Sequence, residues 1–329
     1  MTTNHRITLA QRPEGEVGPE CFHADDVDRP TPGPGQALVE VHYLSIDPTI
    51  RGWMQMDTYL PAIAIGEPIR SGGLGTVIES NDEKLPVGTT VFGMTGWQQY
   101  AIAGPDMRVI PDGIDPEAAL SVFGVTGLTA YFGLLDVGQP KEGETVLVSG
   151  AAGATGSVVG QIAKIKGCRV VGIAGSDEKC AWLTDELGFD AAINYKAQNV
   201  SAAIREACPR GVDVFFDNVG ADILTAALDH IAMKGRVVMC GAIAQYNDTE
   251  ARPGPHNLAN LIVNRARIEG FIILDYLHRA DEAIGDLATW VLGGDLQYAV
   301  DVVDGLDNAP DALNRLFTGA NTGKVMVKL

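Results

Sequence analysis

Residues 146–167 read VLVSGAAGATGSVVGQIAKIKG, a hydrophobic run that breaks into glycines at 150, 153 and 156 before an apolar helical pattern begins. In that pattern Val158, Ile162 and Ile165 fall at i, i+4 and i+7, one face of a helix. A strand, a tight glycine turn and a helix in this order bring backbone close to an anion. The helix N-terminus then offers unpaired N–H groups and the positive end of its dipole. The spelling is Gly-x-x-Gly-x-x-Gly rather than G-x-G-x-x-G, yet the physical task, holding a diphosphate, is the same. A turn without a ligand is the alternative reading, and the βα series that this turn opens argues against it.

Outward from that turn the chain alternates. ETVLVSG, RVVGIAG, AAINY, VDVFFDNVG and RVVMCG read as strands, and RIEGFII continues the series. FGVTGLTAYFGLLDVG, EKCAWLTDELG, VSAAIREAC, ADILTAALDHIA and EAIGDLATWVLGG read as helices. Repeated βα units of this length predict an α/β fold with a doubly wound parallel sheet of the Rossmann kind. Upstream, QALVEVHYLSID, LGTVIES, TTVFGM and QQYAIAG are short strands set off by Pro and Gly, with no helical pattern between them. That half reads as an all-β, partly open barrel. The final residues, QYAVDVVDGL to GKVMVKL, return to strand pattern and are expected to rejoin it. The expected division is a first domain over 1–122, a nucleotide-binding domain over 123–295, and a return to the first over 296–329.

Hydrophobic residues make up 46% of the 329 and charged residues 20%, the balance of a globular chain long enough for two cores. A net charge of −18 speaks against nucleic acid or an anionic membrane, which need clustered Lys and Arg. The five cysteines are scattered without a C-x-x-C pair, and the first residues carry no apolar leader, so a reducing, cytoplasmic setting is expected.

The end of the second strand of the nucleotide-binding half discriminates between cofactors. NAD sites place a carboxylate there for the ribose hydroxyls. Here RVVGIAG ends in Ala174 and Gly175, followed by Ser176 and Lys179, with Tyr195 after the next strand. A hydroxyl, an ammonium and a phenol suit a 2′-phosphate, provided Asp177 and Glu178 point away. NADP is the expected cofactor.

A β-rich half before a nucleotide-binding half suggests the medium-chain dehydrogenase/reductase arrangement, whose alcohol dehydrogenases hold catalytic zinc through Cys, His and carboxylate ligands. Ser45, Ser71 and Gly72 stand where those ligands would fall, and the six histidines show no ligand spacing. No metal site is expected, and alcohol oxidation becomes the less natural chemistry.

The stretch from 146 to 196, with FDNVG, MCGAIAQYN, RIEGFI, GANTGKVMVKL and SIDPTIRGWM, resembles the zinc-independent prostaglandin reductase/alkenal double-bond reductase family. The resemblance runs from about residue 35 to the last, and implies a GroES-like first domain. It also implies NADPH-dependent reduction of a carbon–carbon double bond conjugated to a carbonyl. By position, Gly153, Ala154, Thr155 and Gly156 would line the diphosphate, and Lys179 and Tyr195, with Ser176, the 2′-phosphate. Asn218, the run Cys240, Gly241, Ala242, Ile243 to Tyr246, then Phe271, Ile272, Ile273 and Asn321, would surround the rest. Thr49 stands where the family often has Tyr facing substrate.

Hydride addition to the β-carbon builds charge on the carbonyl oxygen, which needs a preorganised donor. Tyr246 is the catalytic candidate, with cofactor packing as its alternative role. The α-carbon proton comes from Tyr246 or from water. Arg51 is a candidate anchor for an acidic substrate tail, against a purely structural role beside a turn proline. Tyr59, Trp53 and Met54 are candidates for an apolar pocket wall, with packing between the domains as the alternative. The expected partner is a small enal or enone, and a homodimer through RIEGFII. A quinone reductase, an NADP-dependent allylic alcohol oxidation and a non-catalytic NADPH-binding protein remain open alternatives.

Overall fold

The computed structural model describes residues 3–105 and 107–329. The chain forms two compact units, 1–120 with 300–329, and 121–299.

In the first unit the chain runs β1 (Thr3–Leu9), β2 (Phe22–Asp28), β3 (Ala37–Ser45), α1 (Thr49–Gln55), β4 (Gly72–Ser80), β5 (Thr90–Met94), β6 (Tyr100–Ile102), β7 (Arg108–Val109) and α2 (Pro116–Leu120). The second unit holds α3 (Val125–Phe132), β8 (Thr145–Ser149), α4 (Ala154–Ile165), β9 (Arg169–Ala174), α5 (Asp177–Asp185), β10 (Ala191–Asn194) and α6 (Val200–Ala207). It continues with β11 (Val212–Asp217), α7 (Ala221–Leu228), β12 (Ile231–Met239), α8 (Ala259–Asn264), β13 (Arg267–Gly270) and α9 (Ala280–Gly293). The chain then returns to the first unit with β14 (Val300–Asp304), α10 (Ala309–Thr318) and β15 (Lys324–Lys328).

The second unit is built on a six-stranded sheet in the order β10-β9-β8-β11-β12-β13. Every pairing in it is parallel. Numbered from β8, that order is 3-2-1-4-5-6, the doubly wound arrangement that the βα alternation implied. β8 and β11 are buried on both faces, which is why VLVS and VFF read as unbroken apolar runs. A wholly buried phenylalanine such as Phe216 stabilises the fold by about 1.5–3 kcal/mol relative to exposure. The helix expected over FGVTGLTAYFGLLDVG is α3 continued by a π-helical segment, Gly133–Gly138. Gly133 there has no room for a side chain, because a Cβ would collide with the ring of Phe271.

The first unit differs from the all-β reading. It has a seven-stranded mixed sheet, in the order β14-β15-β3-β4-β5-β7 with β6 on β3, antiparallel except for the parallel pair β14–β15, and a separate β1–β2 hairpin. It also contains α1, in the middle of SIDPTIRGWM, and α10, inside a tail read as strands. Ile50, Arg51, Trp53 and Met54 of α1 are all buried, so this short helix shows no polar face and no amphipathic signature. The core beneath it joins Ile7, Leu44, Ile50, Trp53, Met54 and Leu313 with the last strand, through Val325 and Val327.

Candidate nucleotide-binding and active site

In an open parallel sheet, ligands bind beyond the carboxyl ends of the strands where the strand order reverses. Here that point lies between β8 and β11, and the glycine turn leaves β8 at it. Gly150 has φ +57°, a left-handed conformation that a side chain disfavours. A Cβ at Gly156 would collide with the carbonyl oxygen of Gly150, so the helix can start this close to the strand only with glycine there. Gly153 is the N-cap of α4 and provides no capping side chain. The first-turn N–H groups of Ala154, Thr155 and Gly156 are thus left to an anion, together with the helix dipole. A diphosphate fits that cradle.

At the end of β9, Ser176 is the N-cap of α5, and its oxygen accepts from the Lys179 N–H at 3.3 Å. Capping is a role that the sequence reading did not give it. Asp177 accepts from the Asn194 side chain at 2.7 Å, which turns its carboxylate towards the end of β10. Glu178 is held below the usual carboxylate range by its own backbone N–H and by the Ser176 hydroxyl. The ring of Tyr195 lies against Gly175, where a Cβ would come within 3.1 Å of it. That ring is 42% exposed, Lys179 is half-buried, and no carboxylate closes β9. The patch fits a 2′-phosphate.

Across the switch point, Asn218 donates its amide to the Ser149 carbonyl at 2.7 Å and its N–H to the Ser149 hydroxyl at 2.8 Å. The segment from Cys240 to Tyr246 is stitched to the same place, since the Ile243 N–H donates to the Asn218 carbonyl at 3.3 Å. Tyr246 follows a 3₁₀ turn, and its hydroxyl oxygen accepts from the Ala242 N–H at 3.3 Å. Gly241 lies beneath that hydroxyl, which would be 3.5 Å from a Cβ there. Burial, with the charge of Asp217 adding to it, pushes the Cys240 thiol up to about 12, so Cys240 is no nucleophile near neutral pH. Phe271 is half-buried and packs edge-on against Phe216 and Tyr276, while Ile272 and Ile273 lead, half-buried, into the next 3₁₀ turn.

The remaining candidates lie in the first unit. Thr49, the first residue of α1, hydrogen-bonds the Tyr59 hydroxyl at 2.9 Å, and the Tyr59 ring meets Trp53 edge-on at 6.0 Å. Asn321 is buried and donates to the Gly323 carbonyl. For two readings the structure favours the structural alternative. Arg51 is only 3% exposed, and its guanidinium donates to the Gly15 and Pro13 carbonyls and to Gln55. It fastens the 13–15 loop to α1 and is not placed to receive a substrate carboxylate. Trp53 and Met54 pack in the core of the first unit.

Sequence reasoning missed Ser149 and Asp217, at the ends of β8 and β11. Ser149 donates to Asp217 at 2.7 Å across 68 residues of chain. Their only signal was a polar residue closing each buried apolar run. Ser45, at the position of a zinc ligand in the alcohol dehydrogenases, donates to Asp47 at 2.6 Å. Among the described residues no group of three or more His, Cys, Asp and Glu is placed to hold a metal ion.

A 3-2-1-4-5-6 parallel sheet with a glycine cradle at its switch point, in one chain with a largely antiparallel β unit, is the arrangement of a medium-chain dehydrogenase/reductase. A model described as the N-terminal domain of oxidoreductase matches residues 5–110, and one described as zinc-binding dehydrogenase matches residues 154–289. The residues present do not fit the zinc of that second description. The NADPH-dependent curcumin reductase of Escherichia coli is 42% identical, covering 99% of this chain and 97% of its own. An NADP-dependent 2-alkenal reductase of Nicotiana tabacum is 43% identical, covering 90% of this chain and 88% of its own. The crystal structure of Vibrio vulnificus CurA in complex with NADPH superposes with a TM-score of 0.94 at 42% identity, covering 98% of each chain. The chain belongs to the zinc-independent family of NADP-dependent alkenal, prostaglandin and curcumin reductases.

Proposed function

We propose that the protein reduces the carbon–carbon double bond of α,β-unsaturated aldehydes and ketones with NADPH, in the cytoplasm. The observation that carries the reading is its likeness, over most of both chains, to a reductase named for 2-alkenals. The five cysteines are all free, which suits a reducing compartment, and among the described residues no helix is long and apolar enough to cross a membrane.

Bound NADPH supplies a hydride to the substrate β-carbon. The amides of Ala154, Thr155 and Gly156 hold the diphosphate, and Lys179 and Tyr195 take the 2′-phosphate while Asp177 is turned aside to Asn194. Tyr246 donates its phenolic hydrogen bond to the carbonyl oxygen as negative charge builds there. The Ala242 N–H, by donating to the phenol oxygen, orients it and strengthens it as a donor. The α-carbon takes its proton from Tyr246 or from water. The residues proposed to bind substrate are Thr49 and Tyr59, which meet hydroxyl to hydroxyl.

The test is NADPH consumption with a matched enone, its saturated ketone and a quinone, with NADH as control. Consumption with the enone alone, yielding the saturated ketone, supports the reading. Turnover of the quinone alone replaces it with a quinone reductase. Silence on all three acceptors with NADPH still bound leaves a binding protein without turnover.

A further inference from the structure

Asp217 ends β11 at the switch point and is tied to the end of β8, to the turn after β11 and to the segment after β12. Its Oδ1 accepts from the Ser149 hydroxyl at 2.7 Å, the Gly220 N–H at 2.9 Å and the Val219 N–H at 3.0 Å. Its main-chain carbonyl accepts from the N–H groups of Cys240 and Gly241 at 2.9 and 3.1 Å. Through Ser149 it reaches Asn218, which hydrogen-bonds that serine twice. The side chain is 0% exposed, and Oδ2 is buried with no hydrogen-bond partner.

A buried carboxyl with one orphan oxygen is an unfavourable way to end a strand. An apolar residue there would avoid that desolvation, as Val214, Phe215 and Phe216 before it in β11 do. What Asp217 adds is a single rigid group that fixes 149–150, 218–220 and 240–241 against one another.

We propose that Asp217 is a positioning residue for the cofactor: through Ser149 it sets the spacing between the glycine turn, Asn218 and the Cys240–Tyr246 segment, and so the shape of the site beyond the adenine end. This deepens, and rests on, the NADPH reading above. The Lys179–Tyr195 patch lies at the ends of β9 and β10 and has none of these hydrogen bonds.

That separation supplies a test that general destabilisation does not mimic. NADPH affinity is read from nicotinamide fluorescence, and the affinity of adenosine 2′-phosphate, which reaches only the adenine end, from titration calorimetry. Asp217→Asn keeps one acceptor oxygen but buries an amide donor where Oδ2 stands. Its Kd for NADPH is expected to rise about tenfold, the weight of one misplaced hydrogen bond, while the fragment changes by less than about twofold. Ser149→Ala is expected to shift NADPH in the same direction, again sparing the fragment, and carries the comparison if Asp217→Asn does not fold. Unchanged NADPH affinity in a folded variant, or equal weakening of NADPH and fragment, overturns the proposal. Failure of the wild-type protein to bind NADPH overturns the cofactor reading and this one with it.

Discussion

The Tyr246 hydroxyl accepts from the Ala242 N–H, and its chemical role as a donor can be tested apart from the packing of its ring. Tyr246→Phe keeps the ring and loses the donor. On the proposed mechanism kcat for an enone falls about 10²-fold, the usual effect of deleting one preorganised donor, while NADPH affinity stays put. Full turnover in a folded Tyr246→Phe would leave the residue as cofactor packing only. Arg51 is the opposite case. Burial draws its guanidinium below its ordinary pKa range, and its donors are spent on carbonyls of the 13–15 loop. Arg51→Met is therefore expected to lower stability by about 2–4 kcal/mol in a denaturant titration, by orphaning those carbonyls. KM for substrates with and without a carboxylate tail should move alike; selective loss of the acidic substrate would restore the anchor reading.

Among elements, those with a repeating signature were legible and those without were not. The βα series after residue 145 could be read because its strands are apolar throughout and its helices are striped. α1 could not, because Ile50, Arg51, Trp53 and Met54 are buried together. β2 escaped notice because FHADDVD is a polar strand on a two-stranded hairpin. The glycine turn announced itself through spacing, whereas Asp217 has a role only because β8 and β11 lie side by side. That hairpin carries a pH-dependent clip. His5 of β1 sits between Asp26, at 2.9 Å, and Asp307 of the 3₁₀ turn after β14, at 2.8 Å. Asp307 foremost, and Asp26, raise its pKa against the effect of burial. The bonus to stability is complete below the ordinary histidine range and is lost as pH rises through the raised value. Wild type should thus lose melting temperature relative to His5→Gln on passing from acid to mildly alkaline pH. Parallel melting curves across that range would show the clip to be silent.

For the whole molecule, β13 is the last strand of the parallel sheet, and on α8, which packs on β12 and leads into β13, Ile262 is 80% exposed, with Val263 and the N-cap Leu258 also in the open. An unpaired strand edge next to apolar side chains favours pairing with a second copy. We expect a homodimer in light scattering at micromolar concentration, and a shift towards monomer in Ile262→Asp. A monomeric wild-type mass would refute the assignment of this edge.

The strand β15 lies between β14 and β3 in the sheet of the first unit, with Val325, Met326 and Val327 almost wholly buried. A ribosome making this chain therefore delivers most of the first unit long before the strand that completes it. Residues 121–299 emerge with all six of their sheet strands and can close while the earlier residues still wait for 324–328. The unit synthesised first is finished last. In the interval residues 43–45 of β3 stand without the partner that β15 later supplies.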